Sequence, residues 1–270
     1  MCNTNVIIEK YKFSWKDVLV VGELKYTDRL DMQRETIVQL GGYVRETFAA
    51  QPGRRFVHGF TVCGSIARLW LFDRAGVSAS EPIDISQEEG SEIFRRAMLG
   101  YMMMSAWELG IEEQYTSRTL SLKGKRLELI RILNHTPSIV SRATLCWRAK
   151  DLDTGMPCVV KESWRDQRLT PEAEYWKHAK QNGVLGCLDV LVSCDMEVAC
   201  KGVGIQNNIR RNLEFDSATK PPYRKWSASG VAPHGRATTG TALQTIHSGA
   251  EVESAARITT QSKRLTDSMG

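Results

Sequence analysis

"DVLVVGELKYTDR", residues 17–29, sets Glu23 and Lys25 two positions apart at the end of an apolar run. Side chains at i and i+2 of a strand share a face, so a strand here holds a carboxylate beside an ammonium. We read that strand as running from Trp15 to Leu24. After it, Ile37, Leu40, Val44 and Phe48 recur at spacings of three and four and predict a helix over 33–50, stopped at Gln51-Pro52-Gly53. "RRFVHGFTVC" (54–63) and "IARLWLFDR" (66–74) then read as the two strands of a hairpin that turns at Gly64-Ser65. A strand, a helix and a hairpin in this order predict a mixed sheet with flanking helices.

Further along, "SQEEGSEIFRRAMLGYMMMSAWELG" (86–110) opens with Ser86 and Glu89 in capping-box spacing and closes at Gly110. Ile93, Phe94, Ala97, Met98, Tyr101, Met102 and Leu109 form its apolar stripe, and we read the methionines as core filler. Residues 112–138 form a charged connection with one strand in "SLKGKRLELIRIL". "SIVSRATLCWRAKD" and "PCVVKESW" make a second hairpin across "DLDTGM". Pro171 then starts a helix in "EAEYWKHAKQN" that ends at Gly183, and "VLGCLDVLVSC" adds a strand. Residues 217–270 carry fifteen Ser/Thr and only six Leu, Ile, Val or Phe. That is too little apolar surface to offset chain entropy, so a disordered tail is expected.

Composition narrows the function classes. The 270 residues are 42% hydrophobic and 25% charged, as in an ordinary globular protein. The opening residues are polar and charged rather than a secretory leader, and the most apolar helix contains Arg95, Arg96 and Glu108. Neither feature suits a membrane protein. Seven cysteines without C-x-x-C spacing read as reduced thiols of an intracellular protein, in cytoplasm or nucleus. The net charge of +5 arises from residues 201–270, with ten Lys/Arg against five Asp/Glu, while residues 1–200 hold 26 of each. A globular part without basic excess makes nucleic acid an unlikely partner.

Two constellations bear chemistry. Glu23-Leu24-Lys25, with Gln39 and Tyr43 four apart on the following helix, resembles the strand end and QxxxY element of PD-(D/E)xK nucleases. In that fold a second acidic residue, on the preceding strand, helps to hold Mg²⁺. The fourteen residues before Trp15 contain no Asp and one carboxylate, Glu9. Asp17, on the same predicted strand, would stand about 20 Å from Glu23 at roughly 3.3 Å per residue. Glu23 is therefore a lone candidate metal ligand, and no metal site is expected.

The second constellation is "CVVKESW", whose Lys161 resembles the strand lysine of protein kinases. Such a lysine is oriented by a helix glutamate, for which Glu172 fits best and Glu174 is second. Together "WKDVLVVGELK", "QLGGYVRETFAAQPGRRFVHGFTVCGSIARLWLFDRAG", "YMMMSAWELG" and "SRATLCWRAK…VVKESWR" resemble the fungal-type protein kinase family over roughly residues 10–200. The resemblance implies an α/β (α+β) fold with two parts, ahead of the tail read from composition. A nuclease-like mixed sheet with flanking helices covers 1–115, and a kinase N-lobe-like β-sheet with one helix covers 120–205. The disordered tail at 217–270 follows. It also implies ATP and Mg²⁺ as cofactors and a protein as substrate or partner. The phosphate loop, which the family writes much like GRGT, is here Ser141-Arg142-Ala143-Thr144 without either glycine. No His-Arg-Asp or Asp-Phe-Gly occurs, and the resemblance ends after "NNIRRNLEFD". The expectation is a kinase homologue truncated before its catalytic lobe, inactive, with no assignable catalytic residue and no bound cofactor. The competing readings are a metal-dependent nuclease, or its non-catalytic relic, and a non-catalytic interaction module.

Overall fold

A 3-10 turn, Trp15–Asp17, is capped by the Ser14 hydroxyl, which accepts from the Lys16 N–H at 3.3 Å. This turn delays the first strand, so β1 covers Val20–Lys25 and not the predicted 15–24. The computed structural model describes residues 14–112, 114–198, 201–202, 204–211, 213 and 224–232. From β1 the chain crosses through α1 (Arg34–Ala50) into β2 (Phe56–Cys63), which runs parallel to β1. Parallel neighbours need such a crossover, and a helix that buries its apolar stripe on the sheet provides one. Leu40, Val44 and Phe48 form that stripe and pack with Val21, Val57, Trp70 and Phe72.

Gly64, at φ +57°, turns β2 directly into β3 (Ile66–Asp73), the two-residue hairpin that the sequence predicts. Two short strands, β4 (Gly76–Ala79) and β5 (Ile83–Asp84), both pair with β3. The first sheet has the order β1-β2-β3-β4.

Helix α2 (Glu88–Met103) lies across the opposite face of this sheet, Phe94 against Phe60 and Tyr101 against His58. Both of its ends differ from expectation. The Ser86 hydroxyl is drawn to Asp84, so Gln87 becomes the N-cap without a side-chain bond. At the other end a capping box does form, at Ser105 and Glu108: Ser105 donates through N–H and hydroxyl to the Glu108 carboxylate at 2.9 and 2.7 Å. That turn stops α2 at Met103, seven residues before Gly110. Ile93 and Met102 are exposed, whereas Leu109 is buried outside the helix, so the predicted stripe is only partly an inward face.

The described strand pairs of the second sheet are all antiparallel. A four-residue turn of helix, α3 (Gln114–Ser117), leads into β6 (Thr119–Leu122) and β7 (Lys125–His135). These are two strands where one is predicted, because Lys123 and Gly124 both adopt positive φ (46° and 84°) and close a tight hairpin. The hairpin of β8 (Leu145–Asp151) and β9 (Pro157–Asp166) turns across 151–156 as predicted. Helix α4 (Glu172–Gln181) has Pro171 as its N-cap and ends before Gly183 at φ +71°; β10 (Asp189–Asp195) follows.

A small ladder joins β11 (Glu197–Val198) to β12 (Lys201–Gly202), and a π-helical turn spans Ile205–Ile209. The largest departure comes last. Residues 224–232, inside the stretch expected to lack structure, form β13 (Arg224–Ala232) in the middle of the sheet, between β9 and β10. Trp226 and Ala228 point into the core on alternate positions, and the Trp226 ring stacks on Trp164 at 5.8 Å. Residues 217–223 and 233–270 of that expected tail lie outside the described residues.

Candidate functional site

At the end of β1 the four residues singled out from the sequence meet. Glu23 and Lys25 occupy the face that α1 covers, and Lys25 Nζ lies 2.8 Å from Glu23 Oε1. Lys25 also donates to Gln39 Oε1 at 2.8 Å, and Gln39 Nε2 donates to the Tyr43 hydroxyl at 2.8 Å. Hydrogen bonding to Glu23 holds the Lys25 ammonium above its ordinary pKa, against a smaller opposing effect of desolvation. Gln39 and Tyr43 can join the chain of bonds because positions i and i+4 of α1 face the strand end together.

Among the described residues the arrangement lacks a second acidic group for a metal; Glu9, the one carboxylate before Trp15, lies outside them. Asp17 sits in the 3-10 turn, and Asp31 is held by Arg68 at 2.8–2.9 Å. No group of three or more His, Cys, Asp or Glu among the described residues is placed to hold a metal ion. One carboxylate cannot organise a metal-bound water for attack on a phosphodiester. Incubation of the protein with DNA or RNA and Mg²⁺ or Mn²⁺ is therefore expected to yield no cleavage. Cleavage that disappears in Glu23→Ala would contradict this.

The second cluster joins β9 to α4. Lys161 Nζ donates to both carboxylate oxygens of Glu172, at 2.6 and 2.8 Å. Glu174, the second choice, faces away and pairs with Lys177. Two further groups hold Glu172: Trp176 Nε1 at 3.4 Å, one helical turn on, and an Arg142 guanidinium nitrogen at 3.1 Å. Burial alone would raise the Glu172 carboxyl, but the bonds and charge of Lys161, with Trp176 and Arg142, outweigh it and hold the group below its ordinary value. The Arg142 contact was not legible in the sequence, since it depends on how the loop between β7 and β8 folds back.

That loop is closed upon itself. The Ala143 N–H donates to Ser141 Oγ at 2.9 Å, and the Arg142 carbonyl accepts from the Trp164 N–H at 2.7 Å. Ala143 takes φ +42°, a conformation that suits glycine, and its methyl is buried in the second core. Thr144 is tied through its carbonyl to the Thr136 N–H at 3.0 Å. As a nucleotide site, the cluster meets part of the requirement. Lys161 could approach a phosphate, but the Ala143 amide is already bonded, and no carboxylate set for Mg²⁺ stands beside it among the described residues.

Between the sheets lies a polar junction that the sequence did not announce. Glu162, next to Lys161 but on the opposite face of β9, is 1% exposed and accepts from the Tyr115 hydroxyl, with the Trp147 and Trp226 indoles close enough to favour its charged form. Tyr115 stacks between Trp147 and Trp226. Around a cavity of about 10 Å³, room for roughly one water, stand Arg54, Arg55 and Arg74, all buried. Backbone carbonyls absorb much of their hydrogen bonding: Arg54 reaches Phe56, Val18 and Leu19, and Arg74 reaches Ser138 and Arg54. Desolvation lowers Arg54 and Arg55 to about 10 and Arg74 to about 9.

The five described cysteines, Cys63, Cys146, Cys158, Cys187 and Cys194, are free thiols. No helix among the described residues is long and apolar enough to cross a membrane. A family model described as fungal protein kinase matches residues 3–267. The match runs well past Asp216, where the resemblance read from the sequence ends, and takes in β13. No curated protein and no solved structure matches the chain.

Proposed function

The chain belongs to the fungal protein kinase family, and from that premise we propose that it is a kinase-like protein that does not itself transfer phosphate. In this reading the Lys161–Glu172 pair is a structural clamp between β9 and α4. One observation carries the reading: the loop that would approach a nucleotide phosphate is closed on itself and on Glu172. The Ala143 amide is bonded to Ser141, and Arg142 is held on the Glu172 carboxylate. A phosphate oxygen would have to displace the Ala143 bond, and the loop positions where the family places glycine carry side chains instead. Nothing in the chain matches His-Arg-Asp or Asp-Phe-Gly, so no residue takes the part of catalytic base or Mg²⁺ ligand. ATP and Mg²⁺ remain the cofactors of the family, bound weakly or not at all by this chain. Free thiols suit an intracellular setting, cytoplasm or nucleus.

Incubating the chain with γ-labelled ATP, Mg²⁺ and a generic Ser/Thr protein substrate tests the proposal. No label above the blank is expected in either the substrate or the chain itself. Transfer that disappears in Lys161→Ala would overturn the reading.

A further inference from the structure

The outward face of β6–β7–β8 concentrates charge that the fold does not neutralise. Arg126, Arg131, Arg148 and Lys150 are all exposed there, with Glu128 as the one acidic side chain among them. In the antiparallel register Glu128 stands opposite Lys150, but Arg131 stands directly opposite Arg148. Like charges in directly opposed positions repel at short range and destabilise a sheet. Arg126 is paired with Asp153 at 3.4 Å, whereas Arg131 and Arg148 have no ion pair among the described residues. A face whose local arrangement costs stability, in a body whose first 200 residues balance 26 basic against 26 acidic groups, calls for an explanation outside the fold.

The backbone beside these arginines is available as well. β6 pairs with β7 only from Lys125 to Glu128. From Ile130 to His135, where the register with β8 shifts between Leu129 and Arg131 and again between Ile132 and Asn134, no described strand pairs with the other edge of β7, and Ile130 and Ile132 are 44% and 38% exposed. An unpaired edge with exposed β-branched side chains is a template for an added strand. Two features argue against nucleic acid as the occupant. The exposed aromatic side chains among the described residues, Tyr26 and Tyr175, lie on other elements, so no base-stacking platform stands on this face. Glu128, in the middle of the face, would also repel a continuous phosphate backbone.

We propose that this edge of β7 docks an extended acidic segment of a partner protein. The segment adds as a strand along Ile130–His135 and sets carboxylates against Arg131 and Arg148. Main-chain bonds to β7 would supply affinity, and the paired arginines would supply preference for acidic side chains. The proposal does not depend on whether the Lys161 cluster binds nucleotide.

The probe is a fluorescein-labelled 12-mer of alternating Glu and Val, titrated with the full chain and read by fluorescence anisotropy. Its counterparts are the same peptide with Lys for Glu and a labelled 12-mer of oligo-dT. Binding of the acidic peptide is expected with a dissociation constant of tens of micromolar at low salt, weakening as salt screens the contacts. The R131E/R148E double variant is expected to lose roughly tenfold in affinity, about what 1.4 kcal/mol represents. R131Q/R148Q, which removes the charge without reversing it, serves if the first variant does not fold, and should lose several-fold. The R131E single variant creates an opposite-charge pair with Arg148 and is expected to raise Tm by ~2 °C. Unchanged affinity in the double variants, tighter binding of oligo-dT, or no binding of the acidic peptide below about 1 mM would overturn the proposal.

Discussion

Arg210→Ala is expected to lower the free energy of unfolding by about 3–5 kcal/mol, the usual cost of removing one partner from a buried ion pair. Asp73 ends β3 with no exposure, and Arg210 follows the π-helical turn with little. The guanidinium grips the carboxylate through two bonds, Nε at 2.5 Å and a terminal nitrogen at 2.9 Å. The Ala75 and Gly76 amides complete the coordination of Asp73 at 2.8 and 3.1 Å. Since Ile205, on the same turn, is fully buried in the core of the second sheet, Arg210 ties the end of the first sheet to the body of the second. Without it the buried Asp73 carboxylate keeps only the Ala75 and Gly76 amides and loses its counter-charge. A double variant, Asp73→Asn with Arg210→Met, should recover much of the loss because no bare charge is left. Urea unfolding measures both, with the midpoint expected to fall while the slope stays constant. A loss below 1 kcal/mol for Arg210→Ala would mean that the pair does not couple the sheets.

The second large effect is one of pH. Burial pushes the Glu162 carboxyl from its ordinary 4.5 up to about 7, only partly opposed by hydrogen bonding from the Tyr115 hydroxyl and the Trp147 and Trp226 indoles. In the unfolded chain Glu162 ionises near its ordinary value, while in the folded protein it keeps its proton until about pH 7. Between those values the folded state binds the extra proton, so stability falls as pH rises through this window and then levels off. The whole effect is on the order of 3 kcal/mol, since each unit of pKa corresponds to about 1.4 kcal/mol.

Glu172 acts in the opposite sense and in a different window. Its pKa is held low, so its contribution is present above the ordinary carboxylate value and is lost only at more acid pH. Glu162→Gln is therefore expected to flatten the decline from pH 5 to pH 8 without changing the acid limb. Urea midpoints at pH 5 and pH 8 for both proteins provide the check. A wild-type protein equally stable at the two values would show that the carboxylate is solvated or paired in the junction.

Where a local pattern alone determines an element, the sequence was legible. The β1–α1–β2–β3 unit follows from one 3.6-residue stripe, Leu40, Val44 and Phe48, and from a glycine at the hairpin, and all of these lie where the spacing puts them. The meeting of Glu23, Lys25, Gln39 and Tyr43 follows from two further periods: two along the strand and four along the helix. Lys161 and Glu172 meet because β9 and α4 are joined by only a few residues.

Other features needed more than local spacing. β13 was hidden because composition was averaged over 54 residues, and its alternation of Trp226, Ala228 and Gly230 relies on small side chains that add little to hydrophobicity. Its neighbours complete it: β9 and β10 present the unpaired edges that a strand of this kind fills. The Lys123–Gly124 turn is masked in the sequence because the flanking residues read as one continuous strand. Arg54, Arg74 and Arg210 look like surface cations in sequence and are buried only because distant carbonyls and Asp73 converge on them, which no spacing rule anticipates.

The most direct measurement on the Lys161 cluster is a calorimetric titration of the full chain with Mg·ATP. A solvent-screened contact between one lysine and a phosphate contributes on the order of 1 kcal/mol, whereas a dissociation constant of 100 μM requires about 5.5 kcal/mol. With Arg142 held on Glu172 and the Ala143 amide bonded within its own loop, saturation is not expected below about 100 μM, and Lys161→Ala should leave the titration unchanged. A dissociation constant below that value, weakened markedly by Lys161→Ala, would contradict the reading of this cluster as a clamp and make it a nucleotide site.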